Sequence, residues 1–254
     1  MNGALLRLLL AVALLAQVAM ACAASTIDYE REARWAQEIV PTLVIGDAIH
    51  LATPERRNVL GLLTPAAGRE KARVILVHGL GVHPDFGVIG ALRALLADAG
   101  YTTLAVQMPV LAADAPRVDY PVTFGAAAQR LEAAVAYLRE RGPGRLVVLA
   151  HSVGATMTDA WLARQDAAAI DGWVAIGMPV AFTRAPREPV LDVLAERELP
   201  AVVAAAPARK PLLPNDRCSR QTTIAGTDHY FETGEKPLAQ VLDRFLGDIA
   251  QGRC

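Results

Sequence analysis

The stretch VVLAHSVGAT, residues 147–156, runs from an apolar segment typical of a buried strand into a turn centred on Ser152. The residues that follow have helical spacing and predict a helix to about Gln165. A serine between a strand and a helix lies on a tight turn whose flanking positions leave almost no room for side chains. Ala150 and Gly154 supply the small residues, although glycine is commoner at the first of these positions.

Ser152 has two interpretations. On such a turn its hydroxyl would stand above the sheet edge as a nucleophile, with the N-terminal amides of the following helix directed at a developing oxyanion. Alternatively, Ser152 only caps that helix. The five-residue pattern does not choose between the two, so the rest of the chain has to supply partners for a nucleophile.

Strand and helix patterns alternate along most of the chain. A short helix at 28–40 is followed by two strands, 44–52 and 58–64, whose connection TPERR predicts a hairpin. The later alternation predicts a mostly parallel sheet with helices on both faces, in one domain over residues 24–254. The predicted strands are 73–77, 102–107, 146–150, 172–177, 190–194 and 221–225, and the predicted helices are 88–99, 123–141, 153–165, 199–209 and 235–250.

In sheets of this kind, ligands bind beyond the carboxyl ends of the strands. The residues expected at those ends include a serine, an acid and a histidine, in that order along the chain. The full set is His78, Gly79, Gln107, His151, Ser152, Glu196, Glu198, Asp228 and His229.

The segment VILVHGLGVHPDF, residues 74–86, ends an apolar strand in His-Gly-x-Gly. Acyl transfer needs two backbone amides directed at one oxygen. Val153, directly after the serine, would supply one amide, and Leu80 would supply the other. Gly79 and Gly81 would let the loop turn sharply and approach a substrate closely.

His78, His83 and Asp85 lie close together in the sequence and raise the question of a metal site. Their spacing fits no zinc signature, so we expect no metal and assign the histidines to hydrogen bonds that orient the loop. His83 is also a candidate for the mouth of the pocket, and Gln107 is a candidate for its lining.

His229 is the only histidine beyond the serine turn, and it follows the last predicted strand in TIAGTDHYF. This position suits a general base that takes the proton of Ser152, provided that a carboxylate holds its other nitrogen. The acid is expected in PVLDVLAERELP, residues 189–200, where Glu198, Glu196 and Asp192 are the choices. Asp228 adjoins His229 but would point elsewhere on an extended backbone.

The N-terminus predicts a secretory signal peptide over residues 1–23. Arg7 precedes a short apolar run, and small residues follow it. A lipoprotein anchored through Cys22 is the alternative. Either route leaves Cys218 and Cys254, an even pair that suggests a disulfide in an oxidising compartment.

Composition excludes several classes of protein. Hydrophobic residues make up 53% of the chain and charged residues 20%, so the sequence is not that of a disordered protein. A net charge of −1 without any block of like charge does not indicate a nucleic-acid-binding surface. The sequence does not indicate an oligomeric state.

With these residues in place, the chain resembles the α/β-hydrolase superfamily over essentially all of its mature length. More narrowly, it is similar to a family of short, signal-bearing proteobacterial proteins of unknown function. The resembling segments are HGLGVHPDFGVIGALRALLADAGYTTLAVQMPVL, AHSVGA, PVLDVLAERE and AGTDHYFE. The resemblance implies an α/β-hydrolase fold and a Ser152-Glu198-His229 triad, with Glu198 in the position where related hydrolases often carry an aspartate. It implies no particular substrate.

The sequence therefore predicts a periplasmic or secreted serine hydrolase that acts on a small ester or thioester through an acyl-enzyme, without a cofactor. The alternatives are an envelope binding protein that keeps the fold without turnover, and an acyltransferase with the same triad. Residues 108–121 and 178–189 are expected to form the pocket wall. Because both segments are short, we expect the cap to be small or absent.

Overall fold

The computed structural model describes residues 26–56 and 58–254, so the expected signal peptide and Cys22 lie outside the described residues. The strands are β1 (Asp47–Leu51), β2 (Val59–Thr64), β3 (Ala72–Val77), β4 (Tyr101–Val106), β5 (Leu146–His151), β6 (Gly172–Ile176), β7 (Val190–Arg197) and β8 (Arg220–Asp228). The helices are α1 (Tyr29–Ile39), α2 (Gly87–Asp98), α3 (Phe124–Arg139), α4 (Val153–Leu162), α5 (Pro200–Arg209) and α6 (Glu235–Ala250). Short 3₁₀ turns cover Val40–Thr42, Arg117–Thr123 and Lys210–Leu212.

One eight-stranded sheet has the order β1-β2-β4-β3-β5-β6-β7-β8. The hairpin β1-β2 is antiparallel and joins β4 in antiparallel fashion, whereas all the other pairs are parallel. The predicted fold class, a mostly parallel sheet of the α/β-hydrolase type, is confirmed.

Helices cover both faces of the sheet because the central parallel strands bury side chains on both sides. One core cluster contains Leu131 of α3 and Trp161 of α4, packed on strand residues such as Val148. The second contains Leu92 of α2 and Phe245 of α6, on the other face. The carboxyl ends of the parallel strands remain the accessible edge at which the site is built.

The strands β7 and β8 are longer than predicted, and their pairing is irregular. Ala195 pairs with Ile224, but the next pair is Arg197 with Asp228, so a bulge of β8 lies between them. Gly226 provides the positive φ of +74° inside this bulge, and its N–H donates to Glu196 Oε2 at 2.7 Å. The strand pattern in the sequence stops at the bulge, so the predicted strands ended too early.

No helix among residues 26–56 and 58–254 is long and apolar enough to cross a membrane. At the C-terminus, Cys218 and Cys254 are joined by a disulfide with their Cα atoms 5.4 Å apart. This bond attaches the end of the chain to the segment that leads into β8.

Candidate active site

Ser152 stands between β5 and α4 with φ 55° and ψ −123°, a conformation that non-glycine residues rarely adopt. Its side chain accepts no hydrogen bond from the amides of α4, so it does not act as a helix cap. Gly154 explains how the turn fits, because a Cβ there would lie 2.2 Å from the carbonyl oxygen of His78. Ala150 is fully buried at the end of β5, where its methyl group is accommodated.

His229 lies between Ser152 and Glu198. The distance from its Nε2 to Ser152 Oγ is 3.0 Å, and the distance from its Nδ1 to Glu198 Oε2 is 2.7 Å. An ionised carboxylate only accepts hydrogen bonds, so Nδ1 carries the proton and, in the neutral ring, Nε2 accepts from the serine hydroxyl. The structure thus brings together the three residues that the sequence predicted to act together.

The bulge of β8 decides which acid meets the histidine. Because Arg197 pairs with Asp228, the next residues along the two strands, Glu198 and His229, come side by side. Glu196 instead accepts from the backbone of the bulge, as described above. Asp228 accepts the N–H of Tyr230 at 3.1 Å.

Asp192, the third choice of acid, lies inside β7 and away from the histidine. Its carboxylate is fully buried and pairs with Arg209, whose Nε lies 2.9 Å from Oδ2. The same oxygen accepts from Gln221 at 2.8 Å. Glu196 and Asp192 are therefore structural residues of the strand pair, and the structure places neither against His229.

Glu198 is held in its ionised form. Burial by itself would raise its pKa, but hydrogen bonds from His229 and from the amides of Ala195 and Leu199 outweigh burial, and the pKa lies below its usual range. These amides reach the two carboxylate oxygens at 3.1 and 3.2 Å. The carboxylate can therefore orient the imidazole and stabilise a positive charge on it.

Gly177, at the end of β6, was missed by the sequence analysis. Its φ is +57°, and a Cβ there would lie 2.9 Å from two atoms of the His229 ring and 3.1 Å from Glu198 Oε1. Only glycine lets the histidine and the acid pack on this strand end without displacement. A strand-ending glycine opposite two predicted site residues was the available signal.

The loop after β3 faces Ser152. Gly79 lies so close that a Cβ would be 3.3 Å from Ser152 Cβ, and Gly81 has a φ of +63°. In the described part of the chain, the N–H groups of Leu80 and Val153 donate to no other group. Val153 is the first residue of α4, where N–H groups have no partner within the helix. Both residues also line the cavity that contains Ser152.

Two buried histidines support this loop and the turn. His78 Nδ1 donates to the Gly79 carbonyl at 2.9 Å, and its Nε2 accepts the N–H of Met108 at 2.8 Å. His151 Nε2 donates to the backbone carbonyl of His229 at 2.9 Å. Burial lowers the pKa of His78 to about 3 and that of His151 to about 4, so both rings are neutral near pH 7.

A cavity of about 490 Å³ opens beside Ser152. Most of its lining is apolar, and each of the two expected wall segments contributes one residue, Arg117 and Pro179. Between residues 178 and 189 the chain forms no helix, so no helical cap covers the serine from that segment. The other principal lining residues are Leu80, Val82, Phe86, Val88, Ile89, Leu199, Ala201, Tyr230 and Glu232.

Two residues predicted to line the pocket do not line this cavity. Gln107 is buried behind it, where its side-chain amide donates to the Met108 carbonyl at 2.8 Å and lies 3.2 Å from His78 Nε2. His83 packs between the rings of Trp35 and Phe86. The sequence placed both at the correct edge of the sheet but could not show which way their side chains are held.

The described residues contain no group of three or more His, Cys, Asp or Glu side chains placed to hold a metal ion. Asp85 instead forms an ion pair with Arg93, and both ring nitrogens of His78 have hydrogen-bond partners.

The sequence profile of the alpha/beta hydrolase family matches residues 74–251. The chain belongs to this family. The match begins in β3 and ends just after α6, so it includes Ser152, Glu198 and His229 but not α1 or the β1-β2 hairpin. No curated protein matches the chain by sequence.

Solved structures show the same fold at low sequence identity. An alpha-beta serine hydrolase homologue from Coxiella burnetii is 15% identical with a TM-score of 0.64, covering 80% of this chain and 98% of that chain. A serine hydrolase without a lid from Xanthomonas campestris is 16% identical with a TM-score of 0.63, covering 80% and 94%. An esterase from Pyrococcus furiosus is 15% identical with a TM-score of 0.60, covering 79% and 91%.

Proposed function

We propose that this protein is a serine hydrolase that cleaves ester or thioester bonds through an acyl-enzyme on Ser152. The observation that carries the proposal is the unbroken chain of contacts from Ser152 Oγ through His229 to Glu198, at 3.0 and 2.7 Å. The lidless serine hydrolase and the esterase among the similar structures agree with it. A largely apolar cavity beside the serine suits an uncharged acyl group.

In the first half of the reaction, Ser152 Oγ attacks the carbonyl carbon while its proton passes to His229 Nε2. The carbonyl oxygen becomes an oxyanion that accepts hydrogen bonds from the N–H groups of Leu80 and Val153. The bond to the alcohol or thiol then breaks, and the leaving group takes the proton from His229. Glu198 holds the ring in the required tautomer throughout.

In the second half, a water molecule gives a proton to His229 Nε2 and its oxygen attacks the acyl carbon. The bond to Ser152 Oγ breaks, the acid departs, and the serine oxygen recovers its proton from the histidine. These steps use only this chain, the substrate and water.

A fluorophosphonate probe tests the nucleophile. We expect the probe to label the wild-type protein and S219A, but not S152A. Ser219 is a matched control because its hydroxyl is remote from the site and donates to Asp216. Absence of labelling in folded wild-type protein would contradict the proposal and favour a binding protein with this fold.

The acid is tested by two isosteric substitutions. We expect E198Q to lower kcat by about 10³–10⁴-fold, because an amide cannot fix the tautomer and charge of His229 as a carboxylate does. E196Q alters only the hydrogen bond to the β8 bulge and should keep most of the activity. Ester hydrolysis by the two variants decides the assignment, and a loss confined to E196Q would reverse it.

We infer further that the protein is periplasmic or secreted after removal of residues 1–23, or is anchored through a lipid on Cys22, because Arg7 precedes a short apolar run that small residues follow. The disulfide between Cys218 and Cys254 supports this, because such bonds persist in oxidising compartments. Mass spectrometry of the mature N-terminus distinguishes a free Ala24, a lipidated Cys22 and an uncleaved chain, and the last result would refute the inference.

A further inference from the structure

Helix α1, which precedes the family match, lies against the loop that carries the Leu80 amide. The guanidinium of Arg31 donates through one nitrogen to the Gly81 carbonyl at 2.9 Å and through another to the Leu111 carbonyl at 3.0 Å. Arg31 is thus a clamp between the loop after β3 and the segment after β4. Its two donors form a rigid fork, so they fix direction as well as distance.

A second contact of α1 reaches the same loop. Trp35 lies one turn beyond Arg31 on the same helix face, and the Arg31 guanidinium covers its ring at 4.5 Å. The Trp35 ring in turn contacts that of His83, with centroids 5.4 Å apart. The helix therefore holds the loop at two points, Gly81 and His83.

The helix is itself anchored to the rest of the molecule. Asp28 caps it by accepting the N–H of Arg31 at 2.8 Å, and the Asp28 N–H donates to the Val110 carbonyl at 2.8 Å. Glu32 is buried against Arg130 of α3 with a contact of 3.1 Å. Arg31 is therefore presented from a support that is tied both to α3 and to the segment after β4.

The Leu80 amide needs such support. Leu80 stands between two glycines, Gly79 and Gly81, and its side chain is partly exposed. Glycines restrict the backbone least, yet an oxyanion donor contributes fully only when its direction is fixed before the reaction. The only side chain that donates a hydrogen bond to the Gly81 carbonyl, among the described residues, is Arg31.

We propose that Arg31 is a positioning residue, which holds the Gly81 carbonyl so that the Leu80 N–H is directed at the oxygen that develops charge beside Ser152. This role rests on the proposed function. It makes α1, a helix outside the region that defines the family, a part of the machinery that sets kcat.

The test uses R31M, R31K and the control R34M in the full mature chain. Met keeps much of the side-chain length and removes both donors, whereas Lys keeps the charge but not the fork. Arg34 lies on the same helix and is exposed, and its side chain has no hydrogen bond or ion pair among the described residues. Two readouts are compared: amide hydrogen exchange of residues 79–83, and kcat and KM for p-nitrophenyl acetate.

In R31M we expect the amide hydrogens of residues 79–83 to exchange at least about tenfold faster than in the wild type. We also expect kcat to fall by about 10–100-fold, with KM changed little. Complete loss of one oxyanion donor costs about 10²–10³-fold, and a loosened donor costs less. R31K should fall between R31M and wild type, and R34M should match wild type. Inhibition by butylboronic acid, which forms a tetrahedral anion on a serine, should weaken by the same factor as kcat.

The proposal would be overturned if the amides of residues 79–83 in R31M exchanged at the wild-type rate. It would also be overturned if they exchanged faster but kcat did not change. Equal losses in R31M and R34M would overturn it too, since these would reflect general damage to α1. If R31M does not fold, R31K carries the same comparison. If the wild-type protein has no esterase activity and takes no probe, the proposed function fails, whereas the exchange experiment still reports on the clamp.

Discussion

Replacing Gly177 by alanine isolates the part of the site that sequence reasoning did not find. The added Cβ would stand 2.9 Å from two atoms of the His229 ring and 3.1 Å from Glu198 Oε1. Ordinary contacts between such atoms are about 3.5–4 Å, so the ring has to withdraw by about 0.5–1 Å. The hydrogen bond from Ser152 Oγ to His229 Nε2, 3.0 Å long in the structure, would then be stretched or lost.

The substitution has two separable costs. The first is backbone strain, about 1–2 kcal/mol, because alanine at a φ of +57° is in the left-handed region. The second is displacement of the base, and a misplacement of about 1 Å can cost about 10²-fold in rate. We therefore expect G177A to be modestly less stable and to lose about 10²-fold in kcat/KM.

Gly68 provides the matched control. Its φ is +76°, but a Cβ there would meet no atom of the described residues within 4 Å, so G68A has the backbone strain without the collision. Urea unfolding should show similar losses of stability in the two variants, and p-nitrophenyl acetate hydrolysis should fall only in G177A. Wild-type kcat/KM in G177A, or an equal loss in G68A, would refute the reasoning.

Three further predictions concern stability. Burial lowers the pKa of His78 to about 3 and that of His151 to about 4, so the folded state favours their neutral forms. The stability that these neutral rings contribute is complete above about pH 6.5. Below that pH it is lost by up to about 1.4 kcal/mol per pH unit for each histidine, because the unfolded chain takes up the protons first. Urea unfolding between pH 7 and 4.5 should show this loss of stability, and H151Q should make the loss smaller. A stability that does not change over this pH range would contradict the prediction. Cys218 and Cys254 are 36 residues apart, and removal of their disulfide should cost about 3–4 kcal/mol. The measurement is the difference in unfolding free energy between the oxidised protein and the double alanine variant. Equal stabilities would show that other contacts constrain the loop. Since a Cβ on Gly154 would lie 2.2 Å from the carbonyl oxygen of His78, we expect G154A to lose about 3 kcal/mol of unfolding free energy. An unchanged thermal midpoint would contradict the tight turn.

Local sequence patterns predicted most of the fold because they depend on short-range periodicity. Buried strands such as 146–150 read as apolar runs, and helices such as 235–250 show an apolar stripe. The sequence did not predict the ends of β7 and β8, because the bulge arises from how the two strands pair. Strand pairing leaves no periodic pattern in the sequence of either strand. The same bulge separates the roles of Glu196 and Glu198, which the sequence left as alternatives.

The sequence by itself determined which chemical groups stand at the carboxyl edge of the sheet, since strand order and turn residues are local properties. The sequence predicts Ser152, His229 and a glutamate of the segment 189–200 at this edge. Only the tertiary structure decided which glutamate meets the histidine, that Gly177 leaves room for the pair, and that Arg31 reaches the Gly81 carbonyl. These contacts join residues from 21 to 52 positions apart or come from a register shift, and long-range geometry of this kind depends on how the elements pack rather than on any single stretch of chain.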